Sequence, residues 1–183
     1  MRTVRIAHNR SDRERVMLFL DTEFTDFHRP QLLSLGLVDD TGQHLFYGRV
    51  ADIDRAVCSD FVLENVLPKL DARFPACEKA AGGVLRLSAM STALVEWLEA
   101  LRAVKGGGQV HVVCDYWADG DLFLEVLGTH CPAWVEVEDI GPKMPPIETG
   151  DSEHGLRHHA LFDALQLRHA YAKASAAGAF GWV

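Results

Sequence analysis

The chain has 183 residues, of which 48% are hydrophobic and 24% are charged, a composition close to that of an average globular domain. This composition argues against disorder over the whole chain, and no apolar run approaches the roughly 18 residues that a membrane-spanning helix needs. The net charge of −8 argues against broad binding to a nucleic-acid backbone, but it leaves room for a metal-dependent enzyme, because bound cations reverse the local sign of the charge.

The first predicted elements are strands. After a polar arm at residues 1–14, a continuous apolar run at residues 16–20 predicts a buried strand. Residues 32–38 predict a second strand, and residues 45–50 predict a third beyond a turn at residues 39–42. These three strands are expected to form an antiparallel meander.

Helices and strands alternate in the rest of the chain. The apolar spacing predicts helices at residues 61–70 (capped by Asp60, and kinked or shortened by Pro68) and 91–104, and further helices are expected at 119–127 and about 158–174. Strands are expected at 109–114 and 134–137, and a long loop at 141–157. The order predicts one α/β domain over residues 15–178, with a five-stranded mixed sheet flanked by helices, and a tail at residues 179–183.

Four cysteines lie far apart in the sequence and include no Cys-x-x-Cys pair. This spacing favours reduced thiols over a disulfide framework or a zinc ribbon. The arginine-rich start is not followed by the apolar run of a signal peptide. We therefore expect a cytoplasmic protein that does not associate with membranes.

Two carboxylates, Asp21 and Glu23, directly follow the first predicted strand. Side chains two positions apart on a strand point to one face, so these acids would repel each other unless a cation lay between them. Hard cations such as Mg²⁺ and Mn²⁺ prefer oxygen ligands of this kind. The alternative is a solvated turn, because Asp-x-Glu by itself is a common sequence.

A second acidic cluster contains Asp115, Asp119 and Asp121, and it also follows an apolar strand and leads into a predicted helix. Either of the last two acids is suited to cap that helix, whatever the protein does. Three acids within seven residues nevertheless exceed what a cap requires.

The third cluster, His158, His159 and Asp163, lies in the last predicted helix. On a helix, His159 and Asp163 would share a face. His158 would lie about 140° around the axis from Asp163, so those two would not bind one ion side by side. A split role is more natural, with metal on Asp163 and a base at His158, although a plain polar first turn is the alternative for either histidine.

Taken together, the three clusters resemble the three motifs of the DEDDh 3′–5′ exonucleases, the DnaQ-like branch of the ribonuclease H-like superfamily. The resemblance rests on Asp21-x-Glu23, on Asp119, and on the spacing His158-x4-Asp163, and it extends over most of the chain. The sequence looks closest to small stand-alone bacterial exoribonuclease-like proteins of this superfamily. The order of the predicted strands agrees with a ribonuclease H-like fold.

The resemblance implies hydrolysis of phosphodiesters with two divalent cations, Mg²⁺ or Mn²⁺. It assigns four carboxylates as ligands and His158 as the general base, with Glu23 counted beside it as a catalytic residue. A single-stranded 3′ end, RNA in preference to DNA, would enter, and 5′-mononucleotides would leave. The implied metal ligands are Asp21, Glu23, Asp119 and Asp163.

Four residues near the first two motifs are predicted to bind the substrate. Phe24 and Phe27 would stack on terminal bases, unless they belong to the core. Thr25 lies between them, and Trp117 is close to the second motif.

Two positions in these motifs match the family less directly than the others. Asp26 stands where the family usually has a glycine, so an acidic side chain would lie near the 3′ end of the substrate. Asp119 is favoured as the second-motif ligand, because Leu122 and Phe123 then fall where the following helix needs apolar residues. Asp121 would be the ligand if the register slipped by two residues.

Other functions stay open from the sequence. A hydrolase of short oligonucleotides or small phosphoesters would suit the acidic charge, because short substrates need few phosphate contacts. A non-catalytic nucleic-acid-binding protein on the same fold is a further alternative, which the competent residues at all five catalytic positions disfavour. A homodimer is common among proteins of this kind and is also open.

Overall fold

The computed structural model describes residues 15–144 and 155–178 of the chain. The predicted arm at residues 1–14, the predicted tail at 179–183 and the middle of the predicted loop, 145–154, lie outside this part. The described residues form a mixed α/β structure in which helices flank a six-stranded mixed sheet.

The sheet has the strand order β4-β3-β2-β1-β5-β6. The pairs β1–β2 and β2–β3 are antiparallel, which confirms the predicted meander, and the other three pairs are parallel. The strands are β1 (Val16–Phe24), β2 (Leu32–Asp39), β3 (Leu45–Val50), β4 (Ala81–Leu85), β5 (Val110–Cys114) and β6 (Val135–Asp139).

The prediction of five strands was wrong because it missed β4. This strand has the sequence Ala-Gly-Gly-Val-Leu and is mostly exposed, so it shows no apolar–polar alternation, and its two glycines disfavour a strand. It is defined by parallel backbone pairing with β3, in register from Phe46 opposite Ala81 to Val50 opposite Leu85. Such an edge strand is recognisable only from its backbone pairing with the neighbouring strand, β3.

The helices pack on both faces of the sheet, and no helix among the described residues is long and apolar enough to cross a membrane. The predicted helix at 61–70 ends at Asn65 and continues as a 3₁₀ turn at Leu67–Lys69 that contains Pro68. Its N-cap is Ser59 and not Asp60. The helices are α1 (Asp60–Asn65), α2 (Leu87–Val104), α3 (Trp117–Leu127) and α4 (Ala160–Ala176).

The core has two main layers, one on each side of the sheet. Leu18 and Leu20 of β1 pack with Leu94 of α2 on one side. Phe19, which points to the other face, packs with Leu161 of α4. Both faces of β1 are therefore covered, which explains why its first half is a continuous apolar run.

A glycine in β2 determines where α4 begins. Gly36 pairs with Asp21 across the β1–β2 ladder. A Cβ atom at Gly36 would lie only 2.4 Å from the backbone nitrogen of Leu161 and 2.5 Å from the carbonyl oxygen of Ala160. The first turn of α4 therefore lies directly on the sheet beside Asp21, with no room for a side chain between them.

We predict that Gly36→Ala lowers the free energy of unfolding by about 1–3 kcal/mol, because the added methyl group meets backbone that cannot rotate away. Urea denaturation at neutral pH measures the loss. Gly48→Ala in β3 is the matched control, because its added Cβ would meet the end of the flexible Met90 side chain at 3.1 Å and a ring edge of Phe46. Equal losses in the two variants would contradict the close approach at Gly36.

Candidate metal centre and cleft

Asp21 and Glu23 lie within β1 and not after it, because the strand extends to Phe24. Both line a cleft of about 760 Å³ at the carboxyl end of β1, as the two-residue spacing predicted. Glu23 is 8% exposed. The Oδ2 atom of Asp21 is buried and has no hydrogen-bond partner in the described part of the protein.

The carboxylates from the three sequence clusters converge in this cleft. One group combines Glu23, His158 and Asp163, and the other combines Asp21, Asp115 and Asp119. Within each group, one ligand atom from each residue lies within 4.8 Å of those from the other two. The structure thus brings together all four carboxylates that the sequence suggested as metal ligands.

Asp119 lies in the first turn of α3, where two donors from Thr22 orient it. The backbone N–H and the hydroxyl of Thr22 donate to Asp119 Oδ1, at 3.2 and 2.6 Å. Asp121 is exposed and belongs to neither group, because two positions on a helix turn a side chain by about 200°. The geometry therefore favours Asp119 over Asp121.

The two histidines before α4 have different surroundings. His158 lines the cleft, has φ of +67°, and its backbone N–H donates to Asp163 Oδ2 at 2.7 Å. His159 is fully buried, with its ring stacked on Tyr47 at 4.4 Å and edge-on to Phe74 at 5.1 Å. The helix begins only at Ala160, so the helical spacing assumed for the histidines does not apply. The expectation that His158 and Asp163 could not lie side by side at one ion was wrong, because both belong to one candidate ligand group.

The pKa values of the histidines follow from these surroundings. Burial lowers the pKa of the His159 ring to about 4, which keeps it neutral inside the core. Burial also lowers the pKa of His158, and the positive charges of Lys69 and Arg157 lower it further. His158 is therefore neutral at physiological pH and able to accept a proton.

The carboxylates raise one another's pKa values in the cleft. Burial is the largest cause for each, and repulsion between neighbouring carboxylates adds to it. The pKa of Asp21 is raised well above its usual value, that of Glu23 to about 8, that of Asp119 to about 7 and that of Asp163 to about 6. At neutral pH, protons or cations are needed to offset the negative charge of this group of carboxylates.

Two of the four predicted substrate-binding residues line the cleft. Phe24 and Phe27 meet edge to face, with ring centroids 5.4 Å apart, and Tyr116 stacks on Phe24 at 6.4 Å. Thr25 is buried, and its Oγ1 accepts a hydrogen bond from the Gln31 backbone N–H at 3.1 Å. It supports the loop and is not part of the cleft wall.

Trp117 lies outside the cleft but contacts its aromatic rim. Its side chain is 53% exposed, and its ring lies 5.5 Å from that of Tyr116. Asp26 lines the cleft, although its Oδ1 accepts the backbone N–H groups of His28 and Arg29, at 2.6 and 2.7 Å. These hydrogen bonds, that of Arg29 first, lower the pKa of Asp26.

Sequence reasoning assigned no role in the site to several residues of the cleft. Asp115 ends up beside Asp21 because β1 and β5 are parallel neighbours, and its place directly after β5 was the signal that could have found it. Phe61, 51% exposed and edge-on to the His158 ring at 5.1 Å, carried no such signal, because only folding brings α1 to the cleft. Tyr116 and Arg157 also line the cleft without a predicted role.

Comparison of the chain with models of known protein families finds no match, and no curated protein matches it either.

We predict that the metal-free protein loses stability as pH rises from about 4 to about 8. Glu23, Asp119 and Asp163 have folded-state pKa values of about 8, 7 and 6, above the unfolded values of 4.5 for Glu and 3.8 for Asp. The folded state therefore binds more protons than the unfolded state in this range, and its advantage disappears as those protons leave. Thermal melting in a chelator at pH 5 and pH 8 tests this.

Millimolar Mn²⁺ should raise the melting temperature at pH 8, because an ion that binds only the folded state stabilises it. Asp21→Asn should reduce that rise, whereas Asp121→Asn should leave it unchanged. A melting curve of the parent protein that does not respond to Mn²⁺ would count against the metal centre.

Proposed function

We propose that the protein is a metal-dependent 3′–5′ exonuclease of the DEDDh type, which takes a single-stranded 3′ end and releases 5′-mononucleotides. The observation that carries the proposal is the convergence of three distant sequence clusters on one cleft, with four carboxylates in two groups and His158 beside them. The same proposal includes a ribonuclease H-like fold, which the antiparallel meander and the parallel strands that follow it support.

The residues of the cleft fit two divalent ions, Mg²⁺ or Mn²⁺. The two groups are each composed mainly of carboxylate oxygens, which hard cations prefer. The buried, unpartnered Oδ2 of Asp21 is an atom that an ion would satisfy. When bound, the ions would lower the pKa of a water and offset charge on the phosphate.

His158 is the residue that suits proton transfer. It is neutral at physiological pH and lies in the cleft, and its backbone N–H is tied to Asp163. It would take the proton from the attacking water. His159 is unsuited to this role because its ring is enclosed by Tyr47, Phe74 and neighbouring core residues.

The rim of the cleft supports a nucleic-acid substrate. Phe24, Phe27 and Tyr116 form an aromatic surface on one side, and base stacking on such surfaces is tolerant of sequence. Phe61 lies next to His158, with its ring edge-on to the imidazole. RNA is proposed in preference to DNA by resemblance to the stand-alone exoribonucleases alone, and the cytoplasm is proposed as the compartment, in keeping with four free cysteines in the described residues.

A second candidate is a hydrolase of short oligonucleotides. The acidic wall of the cleft and the net charge of −8 favour it, because each additional phosphate needs a positive partner. A panel of RNA and DNA single strands from two nucleotides upward, with Mg²⁺ or Mn²⁺, separates the two candidates by the dependence of rate on length. A homodimer remains a prediction, which sedimentation would test.

We predict that a 3′-phosphate blocks degradation of a labelled single-stranded RNA, whereas a 5′-phosphate does not, because the terminal 3′ nucleotide must enter the cleft. Mononucleotide release, followed by gel electrophoresis, measures both. Cleavage of a circular single strand at the same rate as a linear one would indicate an endonuclease instead.

We predict that His158→Ala lowers kcat by about 10²–10⁴-fold, the usual contribution of a general base. His159→Ala should lower the melting temperature, because it empties a buried stacking position, but it should change kcat little at temperatures where the variant is folded. Mn²⁺ titration completes the test. If His158→Ala loses metal affinity along with rate, His158 is a ligand and not the base.

A further inference from the structure

The turn that carries His158 is held by two contacts with one short segment, residues 69–70. The ammonium of Lys69 donates to the carbonyl oxygen of Arg157 at 2.7 Å. The hydroxyl of Tyr47 donates to the carbonyl oxygen of Leu70 at 2.8 Å, while its ring stacks on His159. The residues on both sides of His158 are thereby connected to the same segment.

That segment is a firm anchor. It closes the 3₁₀ turn at Leu67–Lys69, in which Pro68 fixes the backbone and the N–H of Lys69 donates to the carbonyl oxygen of Val66 at 2.9 Å. Val66 and Leu70 are 1% and 2% exposed and pack with Leu33 of β2. The position of the Lys69 backbone is therefore set by the core.

The turn at His158 needs such an anchor because its conformation is unfavourable. His158 has φ of +67°, a region that side chains with a Cβ atom adopt only when their surroundings enforce it. The hydrogen bond from its N–H to Asp163 fixes one side of the turn. The hydrogen bond from Lys69 holds the carbonyl oxygen of the same Arg157–His158 peptide.

We propose that Lys69 is a positioning residue, which holds the Arg157–His158 peptide so that the imidazole of His158 faces the Glu23 and Asp163 carboxylates. This inference rests on the proposed function. Lys69 acts through the turn and does not itself transfer a proton.

The charge of Lys69 is consistent with its position beside the turn at His158. Burial has the largest effect on the pKa values of Glu23 and His158, but the ammonium of Lys69 lowers both. The same ammonium bonds the carbonyl oxygen of Arg157, directly before the His158 that belongs to the group with Glu23 and Asp163.

Three variants test the inference. Lys69→Met keeps the length of the side chain but removes its donors and charge, and Lys69→Arg keeps both. Lys79→Met is the matched control, because Lys79 is an exposed lysine outside the cleft and its loss changes the net charge equally. All three are compared with the parent protein below their melting temperatures.

The first measurement is hydrogen–deuterium exchange, which needs no substrate. Lys69→Met should speed amide exchange in peptides covering residues 157–161, where the His158 N–H is bonded to Asp163. Lys69→Arg and Lys79→Met should exchange as the parent does. Unchanged exchange in Lys69→Met would overturn the inference.

The second measurement is the rate on single-stranded RNA with Mn²⁺. Lys69→Met should lower kcat by about 10–10²-fold, as misplacement of a reacting group by about 1 Å does, while KM and the Mn²⁺ binding midpoint stay near the parental values. Lys69→Arg should restore most of kcat. Faster exchange without loss of kcat, or no rescue by Lys69→Arg, would overturn the positioning role.

Failure of the proposed function can be distinguished from failure of the inference about Lys69. A parent protein that binds Mn²⁺ but cleaves no RNA or DNA strand overturns the proposed function and, with it, the catalytic role of the turn. The exchange measurement would still decide whether Lys69 holds residues 157–159 in place.

Discussion

Burial of four neighbouring carboxylates in one cleft is the constraint on which this structure depends. Asp21 and Glu23 extend from the central strand, and Asp119 and Asp163 approach them from the starts of two helices. Burial and repulsion raise all four pKa values, which opposes folding at neutral pH unless protons or cations are bound. The Oδ2 atom of Asp21 is buried within this cluster and has no hydrogen-bond partner among the described residues.

The rest of the fold holds these groups at short distances. The parallel pairing of β1 with β5 brings the acids that follow β5 to the edge where Asp21 lies. Gly36 lets the backbone of α4 touch the sheet, and Thr22 binds Asp119 from the neighbouring position on β1. Each of these contacts fixes the position of one group in the cluster.

The sequence predicted the meander and a helix at each of the four helical positions, and the apolar stripe is clearest in α2. It missed β4, whose two glycines and exposed position give no pattern. The expectation that Pro68 would kink or shorten the helix at 61–70 is confirmed, because α1 ends at Asn65 and a 3₁₀ turn containing Pro68 follows. The choice between the adjacent histidines could not be made from helical geometry. Helical spacing would pair His159 with Asp163, but the helix begins at Ala160, after both histidines.

The sequence by itself determined which residue types make up the candidate site. The acids at the ends of apolar strands and the spacing of His158 and Asp163 are local features, readable along one chain. Only the tertiary structure decided that Asp115 lies beside Asp21, that Thr25 lies outside the cleft wall, and that Phe61 and Lys69 approach the turn at His158. The physical reason is that contacts between residues far apart in sequence depend on how strands pair and helices pack, which no local pattern encodes.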